Sequence, residues 1–290
     1  MEPLPLMLDA AGRLFVQEWP GPDEGPVFVC VHGLGGTHLN FMRLAPLLAQ
    51  RGRVLVPDLP GCGLTPRSGR RTGIASARRS LAELIRQEAG RPVILVGNSM
   101  GGTTSVVLAA TEPELVSGVV LCGPALPPRE DPPGLVRALA KAYGLVLGSD
   151  LVGRARVRVL TPEHYVAVGF RAVLADPRAQ PPEVVEAHTE MMRRIQADPD
   201  AARSFAEAAR SVFAFLLNRE SGSYLEWVRC PVLLLQGGKD RVVPPGMVLA
   251  TVPRSWTRHL WPDLGHLVQL EDPERTSAAI GSWLDAHQVG

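Results

Sequence analysis

The string Gly97-Asn98-Ser99-Met100-Gly101 sets a serine between two glycines, directly after the apolar run at 93–96 and directly before small and apolar residues at 100–110. A serine held on a tight strand-to-helix turn takes a strained backbone. Its neighbours two residues away must then lack a Cβ if strand and helix are to approach. The strain lifts the hydroxyl above the sheet, and the helix N-terminus offers N–H groups and a positive dipole end to a developing oxyanion. Ser99 is therefore a candidate nucleophile, the alternative being a purely structural turn.

A hydroxyl is a poor nucleophile at neutral pH, so a base is required. Seven histidines are available. His266 follows the last expected strand through Pro262-Asp263-Leu264-Gly265, in a loop before the final helical pattern, and is the candidate base. His32 is expected to steady the Gly-rich loop that follows it, and His38 to lie at an exposed helix start. His164 and His188 read as surface or packing residues, His259 as part of a strand, and His287 as C-terminal. Asp240 comes just past the apolar run at 232–235, and is the carboxylate expected to fix the imidazole tautomer. Its other reading is a turn with Gly237 and Gly238. Asp263 is too close to His266 along the chain to be the easier partner. The oxyanion donors expected are the backbone N–H of Met100 and that of Leu34, in His32-Gly33-Leu34-Gly35-Gly36. That loop lacks the lysine and the glycine spacing of a phosphate cradle.

Such residues need a rigid frame, and the pattern around them supplies one. Short apolar runs at 27–31, 54–56, 93–96 and 116–122 alternate with helical stripes, among them Phe41, Leu44, Leu47 and Leu48, then Leu81, Leu84 and Ile85. Strands apolar on both faces and alternating with helices predict a mostly parallel central β-sheet flanked by helices, an α/β fold. The alternation stops at Pro124. Residues 124–225 hold helical stripes, such as Val136, Leu139, Ala140 and Tyr143, but no comparable strand. It resumes with a strand at 232–236, a helix near 245–252, a strand near 255–261 and a helix near 274–287. The expected organisation is one core domain, 1–123 with 226–290, interrupted by a helical insertion at 124–225.

Composition narrows the function classes. The 290 residues carry 30 Lys+Arg against 29 Asp+Glu, a balance that argues against a nucleic-acid partner. With 46% hydrophobic and 20% charged residues, the chain has material for a core, which argues against disorder. No apolar run reaches the roughly 18 residues of a membrane span, and the start shows no secretory pattern. Cys30, Cys62, Cys122 and Cys230 are widely and irregularly spaced, so free thiols and a cytoplasmic setting are expected. Cys62 reads as a packed thiol near the pocket.

Together, HGLGG at 32–36, DLPGCGLT at 58–65, GNSMGG at 97–102, GGKDRVVP at 237–244 and GHLVQLEDP at 265–273 resemble the α/β-hydrolase-fold family. They run in family order across nearly the whole chain outside the insertion. The resemblance implies a Ser99–Asp240–His266 triad, a helical cap over the pocket, and neither a metal nor an organic cofactor. A serine at 99 argues against the dehalogenases and epoxide hydrolases of this fold. The Ser-Met-Gly-Gly string resembles both simple esterases and the carbon–carbon bond hydrolases of aromatic degradation. The latter usually carry Gly-Pro-Gly where this chain has Gly35-Gly36-Thr37, and Trp where it has Leu267. Hydrolysis of a carboxylic ester of a small or medium apolar substrate is therefore expected. C–C cleavage and a slow ligand-binding receptor are the alternatives. Arg171 and Tyr165 are candidates to reach a polar substrate group.

Overall fold

The computed structural model describes residues 2–128, 134–149, 151 and 159–289. An eight-stranded sheet organises them, in the order β1-β2-β4-β3-β5-β6-β7-β8. The strands are β1 (Leu4–Asp9), β2 (Arg13–Trp19), β3 (Phe28–Val31), β4 (Val54–Pro57), β5 (Val93–Asn98), β6 (Val116–Cys122), β7 (Val232–Gly237) and β8 (Thr257–Trp261). From β4 to β8 every pairing is parallel, while β1–β2 and β2–β4 are antiparallel. The parallel strands appear where the sequence places them. The β1–β2 hairpin is an addition that the apolar-run pattern does not reveal, because β1 leaves Leu4 and Met7 about half exposed.

The central strands β3, β4, β5 and β7 are buried along their whole length. Both faces of the sheet are covered, which is why these strands read as continuous apolar runs. Helices α1 (Ala45–Leu48) and α11 (Pro273–His287) cover one face through Leu44, Leu48, Ile280 and Trp283. Helices α2 (Ile74–Glu88) and α3 (Met100–Thr111) cover the other through Leu81, Ile85, Val106 and Leu108. Fully burying one such Leu or Ile contributes about 1.5–3 kcal/mol. Small residues bring α3 unusually near the sheet: a Cβ on Gly101 would lie 2.1 Å from the Val31 carbonyl oxygen.

Between the adjacent strands β6 and β7 the chain runs through α4 (Gly134–Leu147), α5 (Pro162–Val173), α6 (Pro182–Ala197), α7 (Ala201–Leu217) and α8 (Ser223–Trp227). The stripe Val136, Leu139, Ala140 and Tyr143 falls on α4, but its side chains lie outside the described residues. Helix α5 starts at Pro162 with Thr161 as its cap, the hydroxyl accepting from the His164 N–H. Val166, Phe170, Val184 and Met192 of α5 and α6 form a separate apolar cluster with Leu267 and Leu270 of the core. Helix α9 (Pro245–Thr251) and the short α10 (Val268–Glu271) complete the core. Among the described residues no helix is long and apolar enough to cross a membrane.

Candidate active site

The residues singled out by their chemistry lie just beyond the C-terminal ends of parallel strands. His32 to Gly36 follow β3, Ser99 follows β5, Asp240 comes after β7 and His266 after β8. Register makes these ends neighbours: Asn98 pairs with Cys122, Cys122 with Leu235, and Gly237 with Trp261. The C-terminal rim of an open parallel sheet is where such folds place their ligands.

Ser99 has φ 54° and ψ −120°, a conformation that costs a non-glycine residue on the order of 1–3 kcal/mol. It persists because its surroundings over-determine it. The Ser99 N–H donates to the Cys122 carbonyl (3.2 Å), and its own carbonyl accepts from the N–H groups of Thr103 (3.1 Å) and Ala125 (3.3 Å). Ser99 is also the N-cap of α3, so the Met100 N–H opens the first helical turn, where amides have no intrahelical acceptor. The loop after β3 lies directly against this turn: a Cβ on Gly33 would sit 2.9 Å from the Ser99 Cβ. Leu34 is the next residue of this loop and lines a cleft beside it.

His266 and Asp240 are both buried. The His266 Nδ1–H donates to Asp240 Oδ2 at 2.7 Å. Asp240 is held from every side: Oδ2 also accepts from Gln236 Nε2 (3.0 Å), and Oδ1 accepts from the N–H groups of Val242 and Val243, each at 2.8 Å. An acceptor-only carboxylate requires the proton on Nδ1, which leaves Nε2 as the basic nitrogen. Asn98 connects this pair to the serine turn, its Nδ2 donating to the carbonyls of Cys122 (2.8 Å) and His266 (3.1 Å). Among the described residues no hydrogen bond joins the Ser99 hydroxyl to the imidazole. Asp263 is occupied elsewhere, with Arg275 at 3.1 Å.

Three residues that hold this arrangement together were not singled out by sequence. Asn98 and Gln236 act through side-chain amides that reach across the sheet. Gly123 follows β6 with φ 53°, and a Cβ there would lie 3.1 Å from both Asp240 Oδ2 and His266 Nδ1. The signal for Gly123, a glycine at the end of an apolar strand, was present but generic.

The remaining histidines divide between agreement and correction. His32 does steady the loop: its Nδ1–H donates to the Gly33 carbonyl (2.8 Å) and its Nε2 accepts from the Leu59 N–H (2.9 Å). Burial pushes its proton affinity down, which matches this neutral tautomer. His38 is not at an exposed helix start. It is buried, with Nδ1 3.0 Å from both oxygens of Asp58, whose Oδ1 also accepts its backbone N–H at 2.6 Å. The partner that buries it comes from the loop after β4, which local sequence does not show.

Beside the Leu34 loop opens a small cleft bounded by Leu34, Cys62, Tyr165, Met192, Phe205 and Ala208. Its lining joins the core to α5, α6 and α7. Tyr165 lines this cleft, whereas Arg171 is exposed and its carbonyl accepts from Arg241 (3.2 Å). Burial and the nearby Asp58 push the Cys62 thiol up to about 12, which favours its protonated form. All four cysteines are free. Among the described residues no three His, Cys, Asp or Glu side chains converge as a metal-binding group.

The family described as alpha/beta hydrolase fold matches residues 26–273. The chain is 29% identical over 282 residues to the magnesium-chelatase 30 kDa subunit of Rhodobacter capsulatus, covering 91% of this chain and 89% of that one. It is 28% identical over 268 residues to the sn-1-specific diacylglycerol lipase ABHD11 of Mus musculus, covering 89% and 81%. Among solved structures, a thermophilic esterase from Thermogutta terrifontis superposes with a TM-score of 0.74 at 25% identity, covering 98% of this chain and 99% of that one.

Proposed function

From the premise that the chain belongs to the α/β-hydrolase fold family, we propose that it is a serine hydrolase cleaving carboxylic esters of small or medium apolar acids or alcohols. The observation that supports this most is the strained Ser99 at the head of α3, with the buried His266–Asp240 pair tied to it through Asn98. Nothing in the packing of a sheet requires all three. A lipase and an esterase among its relatives favour the same reading. The Rhodobacter relative's name describes a chelatase subunit; for this chain, the strained serine favours turnover over a purely accessory role.

In this reading His266 Nε2 takes the Ser99 proton as Oγ attacks the ester carbonyl. Asp240 holds the tautomer and stabilises the imidazolium. The tetrahedral oxyanion is received by the Leu34 and Met100 amides, each such donor contributing about 3 kcal/mol. His266 then protonates the leaving alcohol, and water, activated by the same imidazole, hydrolyses the acyl-enzyme. The Ser99–His266 hydrogen bond forms as substrate arrives, as catalytic contacts commonly tighten on binding. Residues 124–225 act as a cap over the core formed by 1–123 and 226–290, and the cleft beside Leu34 receives the apolar part of the ester.

Ser99→Ala is expected to reduce p-nitrophenyl butyrate hydrolysis to background with the fold intact, and a fluorophosphonate probe is expected to label Ser99 alone. Undiminished turnover in the variant, or labelling elsewhere, would refute the nucleophile assignment. A chain-length series of nitrophenyl esters, run beside a vinylogous 1,5-diketone, reads the bond type. Ester turnover supports this proposal, and diketone cleavage alone replaces it with C–C hydrolysis.

A further inference from the structure

The loop bearing His266 is gripped from outside the core as well as from within. Its backbone N–H donates to the Val173 carbonyl at the end of α5, at 2.7 Å. The preceding residue, Gly265, leaves no room for a side chain: a Cβ would meet Ala175 N at 2.6 Å and Val173 O at 2.7 Å. Leu267 and Leu270 continue this contact as part of the apolar cluster with Phe170, Val184 and Met192.

One carboxylate closes the arrangement. Glu271, at the end of α10, accepts the Gly265 N–H on Oε1 (2.9 Å) and the Ala175 N–H on Oε2 (2.7 Å). A single side chain thus bridges the histidine loop and the segment following α5. Both donors are backbone amides, so the bridge fixes main chain to main chain. Moving α5 relative to the core must either break it or drag Gly265, and His266 with it.

We propose that Glu271 is a positioning residue that couples the placement of α5 to the placement of the His266 imidazole. The inference rests on the reading of His266 as the base. It predicts that losing the bridge lowers the chemical step more than substrate affinity. The ionised carboxylate is the working form, because a protonated one would turn one of its acceptor oxygens into a donor facing an N–H. Burial pushes the Glu271 carboxyl up from its ordinary value, and the like charge of Asp240 adds to this. On its other side, Arg43 donates to the carbonyls of Leu270 (2.8 Å) and Glu271 (3.4 Å).

The test is a pair of variants and their combination, assayed on a nitrophenyl ester. Glu271→Gln places an amide N–H₂ against one of the two donors. Ala175→Pro deletes the donor on the α5 side of the bridge while keeping Glu271. The residue before it, Leu174, has φ −98° and ψ 148°, which a following proline accepts. Each variant is expected to lower kcat about tenfold or more with KM nearly unchanged, since a small misplacement of a catalytic group costs up to about a hundredfold. The double variant is expected to lose no more than Glu271→Gln alone, because both remove one bridge.

The acid limb of the wild-type profile adds a readout that a merely structural residue would not move. Protonating Glu271 is expected to cost about what Glu271→Gln costs, so the wild-type acid limb of log kcat/KM steepens beyond a slope of about one over part of its range, and Glu271→Gln keeps a slope of about one throughout. Folded variants that keep kcat within about twofold, or that lose activity additively, would overturn the proposal. Should neither variant fold, Glu271→Asp, whose shorter carboxylate cannot reach both amides, takes their place, and a folded Glu271→Asp with kcat within about twofold of the wild type would overturn it. Absence of ester turnover and of Ser99 labelling in the wild type would instead strike the parent reading. Wild-type turnover matched by Glu271→Gln would strike this inference alone.

Discussion

At the scale of single residues, the candidate site depends on positions whose neighbours leave them no alternative. Ser99 is readable from its own five-residue string, because strain at a strand-to-helix turn demands small residues close by in sequence. Gly123 is different. Its importance comes from Asp240 and His266, both more than a hundred residues away, and nothing within its own segment announces them. Gly123→Ala is expected to harm both stability and activity. A side chain at φ 53° costs about 1–2 kcal/mol. The added methyl also presses on the two atoms of the His266–Asp240 hydrogen bond. The expected outcome is a melting temperature lower by a few degrees and kcat/KM reduced about tenfold or more. Thermal denaturation and ester kinetics on the same sample check this, and a lower Tm with unchanged kcat/KM would show that the pair tolerates the intrusion.

At the scale of elements, strands covered on both faces were legible because they are apolar runs broken by few polar residues, such as Asn98 and Gln236 near their C-terminal ends, so no phase had to be guessed. The β1–β2 hairpin escaped because an edge strand exposed on one side carries a weaker pattern, and Pro3 and Pro5 obscure it further. Loops were harder still, since their geometry is set by contacts between segments. The loop after β3 is held to the loop after β4 by His32, which must be neutral to accept the Leu59 N–H on Nε2. Burial lowers its proton affinity, and the same holds for His188. The sign of the pH effect follows. As pH falls through the ordinary histidine range near about 6.5, the unfolded chain binds protons that the folded chain refuses, so stability declines. The melting temperature is expected to drop between neutral pH and about pH 5.5 in the wild type. It should drop less steeply in His32→Gln, which starts lower because it loses one or both hydrogen bonds. Parallel curves for the two proteins would mean that His32 titrates normally.

At the scale of the whole molecule, the question is how the helices between β6 and β7 are fixed to the core that carries the chemistry. Besides the apolar cluster around Leu267 and Leu270, two polar attachments stand out. One is the Glu271 bridge beneath α5. The other is a polar seam along α7, in which the Thr72 hydroxyl donates to the Ser204 carbonyl (2.7 Å) and the Ile74 N–H to the Ser211 hydroxyl (3.1 Å). The same seam contains the ion pair between Arg67 and Glu207, at 2.9 Å. This seam was invisible in sequence, because Arg67 and Glu207 look like ordinary surface charges until the fold buries the guanidinium to 6% exposure. Removing one member of such a pair strands the other. Glu207→Ala leaves a buried, unpaired Arg67, and losses of about 3–5 kcal/mol are typical of that situation. The effect should also reach the cleft, since Phe205 and Ala208 on α7 line it. A loosened α7 is expected to lower kcat/KM for nitrophenyl butyrate more than for nitrophenyl acetate, whose acyl group is too short to need the cleft. The ratio of the two rates, measured beside the melting temperature, separates the cases. A lower Tm with an unchanged ratio would mean that the seam holds the helices without shaping the acyl site, whereas a changed ratio ties substrate choice to the way α7 is docked.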